Sequence, residues 1–110
     1  MSVTLFHNPR CSTSRKALEM LRDAGVQPMV VEYLKTGWDR ATLVRLAAGV
    51  GGARGLLRAK EPEAAGLKAA TDDALIDAMI ADPILVERPV AESGKGVRVG
   101  RPPERVLEIV

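Results

Sequence analysis

The sequence predicts an α/β fold with a mixed four-stranded sheet, in which helices are inserted between an N-terminal β-α-β unit and a C-terminal β-hairpin and helix. Three observations support this class. Strand-like and helix-like segments alternate at the start of the chain, and the length of 110 residues suits one compact domain. The 46% of hydrophobic residues, with a mean hydropathy of +0.01, can fill one core. We therefore expect residues 1–110 to form a single domain.

The β-α-β unit comes first. Residues 3–6 are a short strand candidate, and the Asn and Pro of residues 7–10 then favour a turn. Over residues 14–24 apolar side chains recur at helical spacing, and Gly25 follows where a helix should end. Residues 28–33 are mostly apolar and rich in strand formers, as a buried strand would be. A helix between two strands predicts a right-handed parallel crossover.

A second helix is expected after Asp39, a plausible N-cap, and it should end near residues 49–51 because two glycines stand there. Residues 51–67 are the least periodic part of the chain. They predict a short helical turn around Leu56 and Leu57, followed by loop.

The last third of the chain predicts a helix, a hairpin and a closing helix. Thr71 and two following aspartates should open the helix, which Asp82 and Pro83 should stop. Residues 90–92 and 97–99 look like the strands of a hairpin, and Pro102 should start the final helix. This order of elements is that of a thioredoxin-type sheet with inserted helices.

The composition argues against some classes of function and favours others. Sixteen Lys and Arg against 14 Asp and Glu give a net charge of +2, and aromatic residues make up 3% of the chain. Both values argue against nucleic-acid binding. The basic residues divide into 11 Arg and 5 Lys, and the forked arginine donors suit oxyanions. No apolar run approaches a membrane span, and residues 1–6 lead into a polar loop, so we expect a cytoplasmic protein without a membrane partner.

The chain has one cysteine, Cys11, and one histidine, His7. This excludes an internal disulfide and a multi-thiolate metal site, so no metal is expected. Cys11 lies in a polar loop just before the first helix, where the positive helix end favours a thiolate, and Arg10 and Arg15 should add to this effect. Cys11 is therefore a candidate nucleophile. The alternative is a buried, inert cysteine, against which its polar neighbours argue.

The spacing around Cys11 excludes two common thiol chemistries. A phosphatase loop needs an arginine six residues after the cysteine, where this chain has Ala17. A dithiol redox motif needs a second cysteine three residues on, where this chain has Ser14. If Cys11 does redox chemistry, its resolving thiol must come from another molecule.

The loop of residues 7–15 resembles the active-site loop of the glutaredoxin-coupled arsenate reductases, the ArsC family. The matching residues are His7-Asn8-Pro9-x-Cys11-x-Thr13-Ser14-Arg15. Further matches follow in order and cover nearly the whole chain: Leu56-Leu57-Arg58 with Glu61-Pro62, Gly66-Leu67, Asp73-x-Leu75-Ile76-Asp77-x-Met79, Pro83-Ile84-Leu85-x-x-Arg88-Pro89, and Gly100-Arg101-Pro102.

The resemblance implies a thioredoxin-like fold and a reaction. Cys11 would attack arsenate while Arg58, Arg88 and Arg101 hold the oxyanion, and several forked donors do suit a tetrahedral anion. Glutathione, a reducing co-substrate rather than a bound cofactor, would then attack the Cys11–arsenic adduct. Glutaredoxin would reduce the resulting mixed disulfide. We expect a monomer.

The resemblance also implies supporting roles. His7 would help to hold Cys11 as a thiolate, although a plain turn residue is the alternative. Pro89 matches the cis-proline that faces the active loop in thioredoxin-like folds. Three hydroxyl residues of the loop are expected to cap the first helix and, in second place, to donate to the anion: Ser12, Thr13 and Ser14.

Two other functions stay open. A glutathione-dependent reductase of protein or small disulfides would need Cys11 but not the three arginines. A regulator resembling the Spx proteins would bind RNA polymerase, but such regulators usually carry a Cys-x-x-Cys pair, and here Ser14 replaces the second cysteine. The stretch after Arg58 is also shorter than in typical ArsC members and has Ala64-Ala65 in place of an aromatic residue, which leaves the substrate open.

Overall fold

A computed structural model describes residues 2–67 and 69–110. The chain divides into two compact units. The first comprises Met1–Thr36 and Arg88–Val110, and the second comprises Gly37–Glu87. No helix in the described ranges is long and apolar enough to cross a membrane.

The first unit is built on a mixed sheet with the strand order β2-β1-β3-β4. Its strands are β1 (Thr4–Phe6), β2 (Met29–Val31), β3 (Val90–Ser93) and β4 (Gly96–Val99). β1 pairs in parallel with β2 and antiparallel with β3, and β3 pairs antiparallel with β4. The predicted four-stranded mixed sheet and the thioredoxin-like class are confirmed.

Helix α1 (Ser12–Asp23) packs its apolar stripe against this sheet. Ala17 and Leu21 are fully buried, and they pack with Leu5 of β1 and Ala91 of β3. The helix begins two residues earlier than the periodicity predicted. The polar first turn carries no apolar side chain that could have indicated this start.

The prediction of a buried strand over residues 28–33 is wrong in two respects. β2 lies at the edge of the sheet, where Met29 is 68% exposed and Val30 is 37% exposed. The strand ends at Val31, and a short helix α2 (Tyr33–Thr36) follows with Tyr33 fully buried. An apolar run favours a strand but does not show where that strand lies in the sheet. β2 pairs with β1 alone, so it is an edge strand.

The predicted closing helix is present, and it is a 3-10 helix, Pro103–Ile109. Val106 and Ile109, three residues apart, are both fully buried. A three-residue spacing matches the three residues per turn of a 3-10 helix, so a single narrow face reaches the core. The hydroxyl of Ser93 donates to the carbonyl of Ile109 at 2.6 Å and holds the segment against the hairpin.

The second unit contains α3 (Arg40–Gly49) and α4 (Asp72–Ala81), together with 3-10 helices at Ala53–Gly55, Pro62–Ala64 and Pro83–Leu85. Both predicted N-caps are confirmed. The side chain of Asp39 accepts from the Thr42 amide at 3.3 Å, and that of Thr71 accepts from the Ala74 amide at 3.2 Å. The predicted turn near Leu56 lies slightly earlier, at Ala53–Gly55.

Candidate active site

The loop after β1 is a tight turn that places Cys11 at the start of α1. The amide of His7 donates to the carbonyl of Val31 at 2.8 Å, which extends the pairing with β2 by one residue. The amide of Cys11 then donates to the carbonyl of Asn8 at 3.0 Å, while the amide of Arg10 donates to the Asn8 side-chain oxygen at 3.0 Å. One asparagine therefore shapes the turn through both its backbone and its side chain.

Cys11 itself is the N-cap residue of α1, with φ −91° and ψ 121°. The amide of Arg15 donates to its carbonyl at 3.0 Å, which is the first hydrogen bond of the helix. The expectation that a hydroxyl residue caps this helix is therefore wrong, because Ser12, Thr13 and Ser14 occupy the first turn. The turn formed with Asn8 brings Cys11 to the cap position first.

Ser14 is fully buried, and its hydroxyl closes the loop. The amide of Asn8 donates to Ser14 Oγ at 3.1 Å, and His7 Nδ1 lies 2.7 Å from the same oxygen. The hydroxyl is therefore used inside the protein rather than directed at an anion. What Ser14 supplies to the thiol is its backbone N–H.

The Cys11 thiol is half-buried. Burial acts to raise the pKa of the thiol, but hydrogen bonds outweigh it and the net pKa is lowered. These bonds come from the backbone N–H of Ser14, the Arg88 side chain, the backbone N–H of Thr13 and the Arg101 side chain, in decreasing order of effect. The helix start and two arginines thus favour the thiolate.

The side chains of Arg88 and Arg101 both reach Cys11, and each of the two residues precedes a cis peptide bond to proline. The Arg88–Pro89 cis bond was predicted and is confirmed. The close approach continues at Gly100, whose amide donates to the Pro89 carbonyl at 2.8 Å. A Cβ at this position would lie 2.8 Å from the Pro89 ring, so only glycine fits.

The arginines that lower the pKa of the Cys11 thiol are Arg88 and Arg101, not the sequence neighbours Arg10 and Arg15 that were expected to do so. Arg88 is 8% exposed, and its side chain contributes more to the lowered pKa of Cys11 than that of Arg101. Arg15 instead donates from Nη1 to the carbonyl of Pro9 at 2.8 Å. Its guanidinium is therefore committed to the loop backbone.

The surroundings of His7 favour its neutral form. Burial lowers the pKa of His7, the charge of Glu32 opposes this, and the charges of Arg22 and Arg15 add to it. A neutral imidazole cannot stabilise a thiolate as a cation. Its contact with Ser14 indicates a role in holding the loop that carries Cys11.

Arg58 belongs to the second unit and is firmly held there. Its amide donates to the carbonyl of Leu85 at 2.7 Å, and its Nε lies 2.9 Å from Glu61 Oε1. Both side chains of this ion pair are largely buried. The role of Arg58 in anion binding stays a prediction.

Residues 6–109 match the ArsC family. The chain belongs to the ArsC family. The resemblance inferred from the sequence motifs is therefore confirmed, and the match extends over both compact units.

Several relatives align over nearly the whole ArsC-family chain. It is 47% identical to "Uncharacterized protein YfgD" of Escherichia coli strain K12, over 98% of this chain and 96% of the relative. It is 46% identical to an arsenate reductase of the same strain, over 99% of this chain and 81% of the relative. The solved structure of an arsenate reductase from Vibrio cholerae superposes with a TM-score of 0.91 at 41% identity, covering 100% of this chain and 98% of that chain.

Sequence reasoning missed Asn8 as a functional residue of this ArsC-family site. It is 5% exposed, and its three hydrogen bonds fix the turn before Cys11. An asparagine directly before a proline is a signal for such a turn, because its side chain can bond to the backbone two residues on. Within the described ranges no three His, Cys, Asp or Glu side chains are grouped to hold a metal ion.

Proposed function

We propose that this protein is an arsenate reductase that uses Cys11 as its nucleophile and takes electrons from glutathione and glutaredoxin. The observation that carries the proposal is the Cys11 thiol with its lowered pKa, facing the side chains of Arg88 and Arg101. A relative at 46% identity is described as an arsenate reductase, which supports the choice of substrate.

In the first step the Cys11 thiolate attacks the arsenic of dihydrogen arsenate. An S–As bond forms, one arsenate oxygen takes up a proton and leaves as water, and arsenic stays in the +5 state. Arg88 and Arg101 would neutralise the anion at the point of attack, because both carry forked donors that suit an oxyanion and Arg88 is largely buried.

In the second step a glutathione thiolate attacks the Cys11 sulfur. The new S–S bond forms, the S–As bond breaks, and arsenic leaves with that electron pair as arsenite, which takes up protons from water. Arsenic is reduced by two electrons, and the two sulfurs are oxidised to a mixed disulfide. The chain has one cysteine, so the resolving thiol has to be external.

In the third step a glutaredoxin thiolate attacks the glutathione sulfur of the mixed disulfide. The Cys11–glutathione bond breaks, and Cys11 leaves as a thiolate. Its lowered pKa makes Cys11 a good leaving group here, as well as an ionised nucleophile in the first step.

Arg58 completes the proposed set of anion ligands, on the basis of its match to the family motif and its ordered position in the second unit. Its ion pair with Glu61 uses Nε. We further propose that residues 1–110 act as one ArsC-like domain and as a monomer.

The decisive test couples NADPH oxidation to arsenate through glutathione reductase, glutathione and glutaredoxin. We expect oxidation that requires arsenate and is lost in Cys11→Ser. If arsenate adds nothing, while a small disulfide supports Cys11-dependent oxidation, the protein is a general thiol reductase and the proposal is wrong.

A further inference from the structure

A cleft of about 260 Å³ opens within the first unit beside the loop that carries Cys11. Three of its lining residues directly precede Cys11 in the chain, and three come from the segment around α2. They are Asn8, Pro9, Arg10, Glu32, Leu34 and Lys35. We propose that this cleft is the binding site for the glutathione that reacts at Cys11.

The charges around the cleft complement those of glutathione. Arg10 and Lys35 contribute two positive charges, and Glu32 contributes one negative charge. At neutral pH glutathione carries two carboxylates and one ammonium group. Each charged group of the tripeptide therefore has a partner of opposite sign, and the guanidinium of Arg10 can bind a carboxylate with two parallel bonds.

The existing contacts leave these charges accessible. In the described part of the chain, the Arg10 side chain has no ion-pair partner. Lys35 lies 3.3 Å from Glu32, but both side chains are solvent-exposed. Exposed pairs of this kind are weak and salt-screened, so they can exchange partners when a ligand brings its own charges.

The cleft also offers apolar surface for the uncharged part of the tripeptide. α2 directs Tyr33 into the core and leaves Leu34 42% exposed at the cleft, which Pro9 also lines. Leu34 and Pro9 can cover the methylene groups of the γ-glutamyl arm. A mainly apolar wall with a few placed charges is typical of small-molecule sites.

Two hydrogen bonds of the turn link the wall of the cleft to Cys11. The Asn8 carbonyl accepts from the Cys11 amide, and the Asn8 side chain accepts from the Arg10 amide. The wall of the cleft and the nucleophile therefore belong to one hydrogen-bonded turn. A ligand seated against Pro9 and Arg10 would hold its thiol next to Cys11 with little loop movement.

A second cleft, of about 440 Å³, fits glutathione less well. It is lined by His7 and Pro9 of the loop and by residues of α1, and its fully charged residues are two arginines and two acids: Arg15, Glu19, Arg22 and Asp23. These four charges cancel, whereas the smaller cleft has one more positive than negative charge and glutathione has one more negative than positive charge. Arg15 is also bound to the Pro9 carbonyl.

The inference rests on the glutathione step of the proposed function, but it can be tested without arsenate. The Cys11 thiolate attacks one sulfur of glutathione disulfide. Its S–S bond breaks, a bond between Cys11 and one glutathione forms, and the other glutathione leaves as a thiolate. No further oxidant is needed. The rate is measured by mass spectrometry and compared with that for hydroxyethyl disulfide, which is uncharged.

We expect Arg10→Ala and Lys35→Ala each to slow the reaction with glutathione disulfide by about 3- to 10-fold. This loss lies between the free energy of an exposed ion pair and that of a charge-assisted hydrogen bond. The rate with hydroxyethyl disulfide should not change, because neither cation is among the main groups that set the pKa of Cys11. Arg10→Lys should recover part of the rate. Lys16→Ala, which removes an exposed cation from α1, is the matched control.

Two outcomes would overturn the inference. Equal slowing of both disulfides would mean that Arg10 and Lys35 act on the thiol rather than on glutathione. Selective slowing in Arg22→Ala, with Arg10→Ala unchanged, would move the site to the larger cleft. Failure of the proposed function gives a different result. Cys11 would still react rapidly and selectively with glutathione disulfide, but the protein would not reduce arsenate.

Discussion

The guanidinium of Arg101 donates from Nη1 to the backbone carbonyl of Arg88 at 3.0 Å. The same nitrogen lies 4.0 Å from Cys11 Sγ. This hydrogen bond to the carbonyl holds the Arg101 guanidinium beside the thiol. A charge held in place beforehand stabilises the thiolate and a bound oxyanion without first being ordered.

Replacing Arg101 should make the thiol less acidic. In Arg101→Ala we expect the apparent pKa of Cys11 to rise towards that of a free thiol, because one of the side-chain donors that lower it is lost. The pH dependence of iodoacetamide alkylation measures this. Arg101→Lys should recover part of the shift, since it keeps the charge but not the fork.

The control for that experiment is Arg105→Ala. Arg105 lies in the 3-10 helix Pro103–Ile109 and forms an exposed pair with Glu108 at 3.8 Å. It should leave the alkylation profile unchanged. An Arg101→Ala profile that superposes on the wild-type profile would show that Arg101 does not act on the thiol.

Removing the hydroxyl of Ser14 should destabilise the protein. Ser14→Ala leaves the buried amide of Asn8 and the Nδ1 of His7 without their partner. Such a loss costs about 1–3 kcal/mol of unfolding free energy. Urea unfolding measures it, and Ser12→Ala, at an exposed position in the same turn, should change stability little. Equal stability of the two variants would contradict a buried role for the Ser14 hydroxyl.

The sequence predicted the position of the candidate site, but not the hydrogen bonds within its loop. The position of Cys11 at the start of a helix was predicted from the polar loop that precedes a periodic segment. The cis bond between Arg88 and Pro89 was predicted from the match to the family motif. The direction of the Ser14 hydroxyl could not be predicted, because serine near a helix start usually caps it. In the structure, the turn formed by Asn8 places Cys11 at the N-cap position of α1, so no serine occupies it.

For two short elements the sequence predicted the element but not its details. The apolar composition of Met29–Val31 indicated a strand correctly, but its edge position depends on which strands pair elsewhere in the chain. The closing segment Pro103–Ile109 has apolar residues at a spacing that suits either helix type, so the sequence predicted a helix but not its 3-10 form.

Stability should fall at mildly acidic pH because of His7. Burial keeps the pKa of His7 in the folded protein below the ordinary value of 6.5. As the pH falls below about 6.5, the unfolded chain binds a proton that the folded protein does not, so the unfolding free energy decreases. This contribution is fully present above the unfolded pKa and is lost as the pH falls through the folded pKa.

Urea unfolding between pH 7.5 and 5 in a Cys11→Ser background isolates this effect from titration of the thiol. His7→Asn retains a polar side chain that can bond to Ser14 but does not titrate. It should therefore show a flatter dependence of unfolding free energy on pH. Identical slopes with histidine and asparagine would mean that another group causes the acid sensitivity.

Substitution of the three motif arginines separates oxyanion chemistry from general thiol chemistry. Arg88→Ala and Arg101→Ala remove groups that contact the thiol, and Arg58→Ala removes the proposed third ligand, so each should lower arsenate turnover by roughly 10- to 100-fold. Arg40→Ala, which breaks an exposed pair with Asp77, should change little. Binding is measured separately, as protection of the thiol from alkylation by arsenate or sulfate. If all three variants bind these anions normally while Cys11→Ser abolishes disulfide reduction, the arginines are not anion ligands, and the protein is a thiol reductase whose substrate is a disulfide.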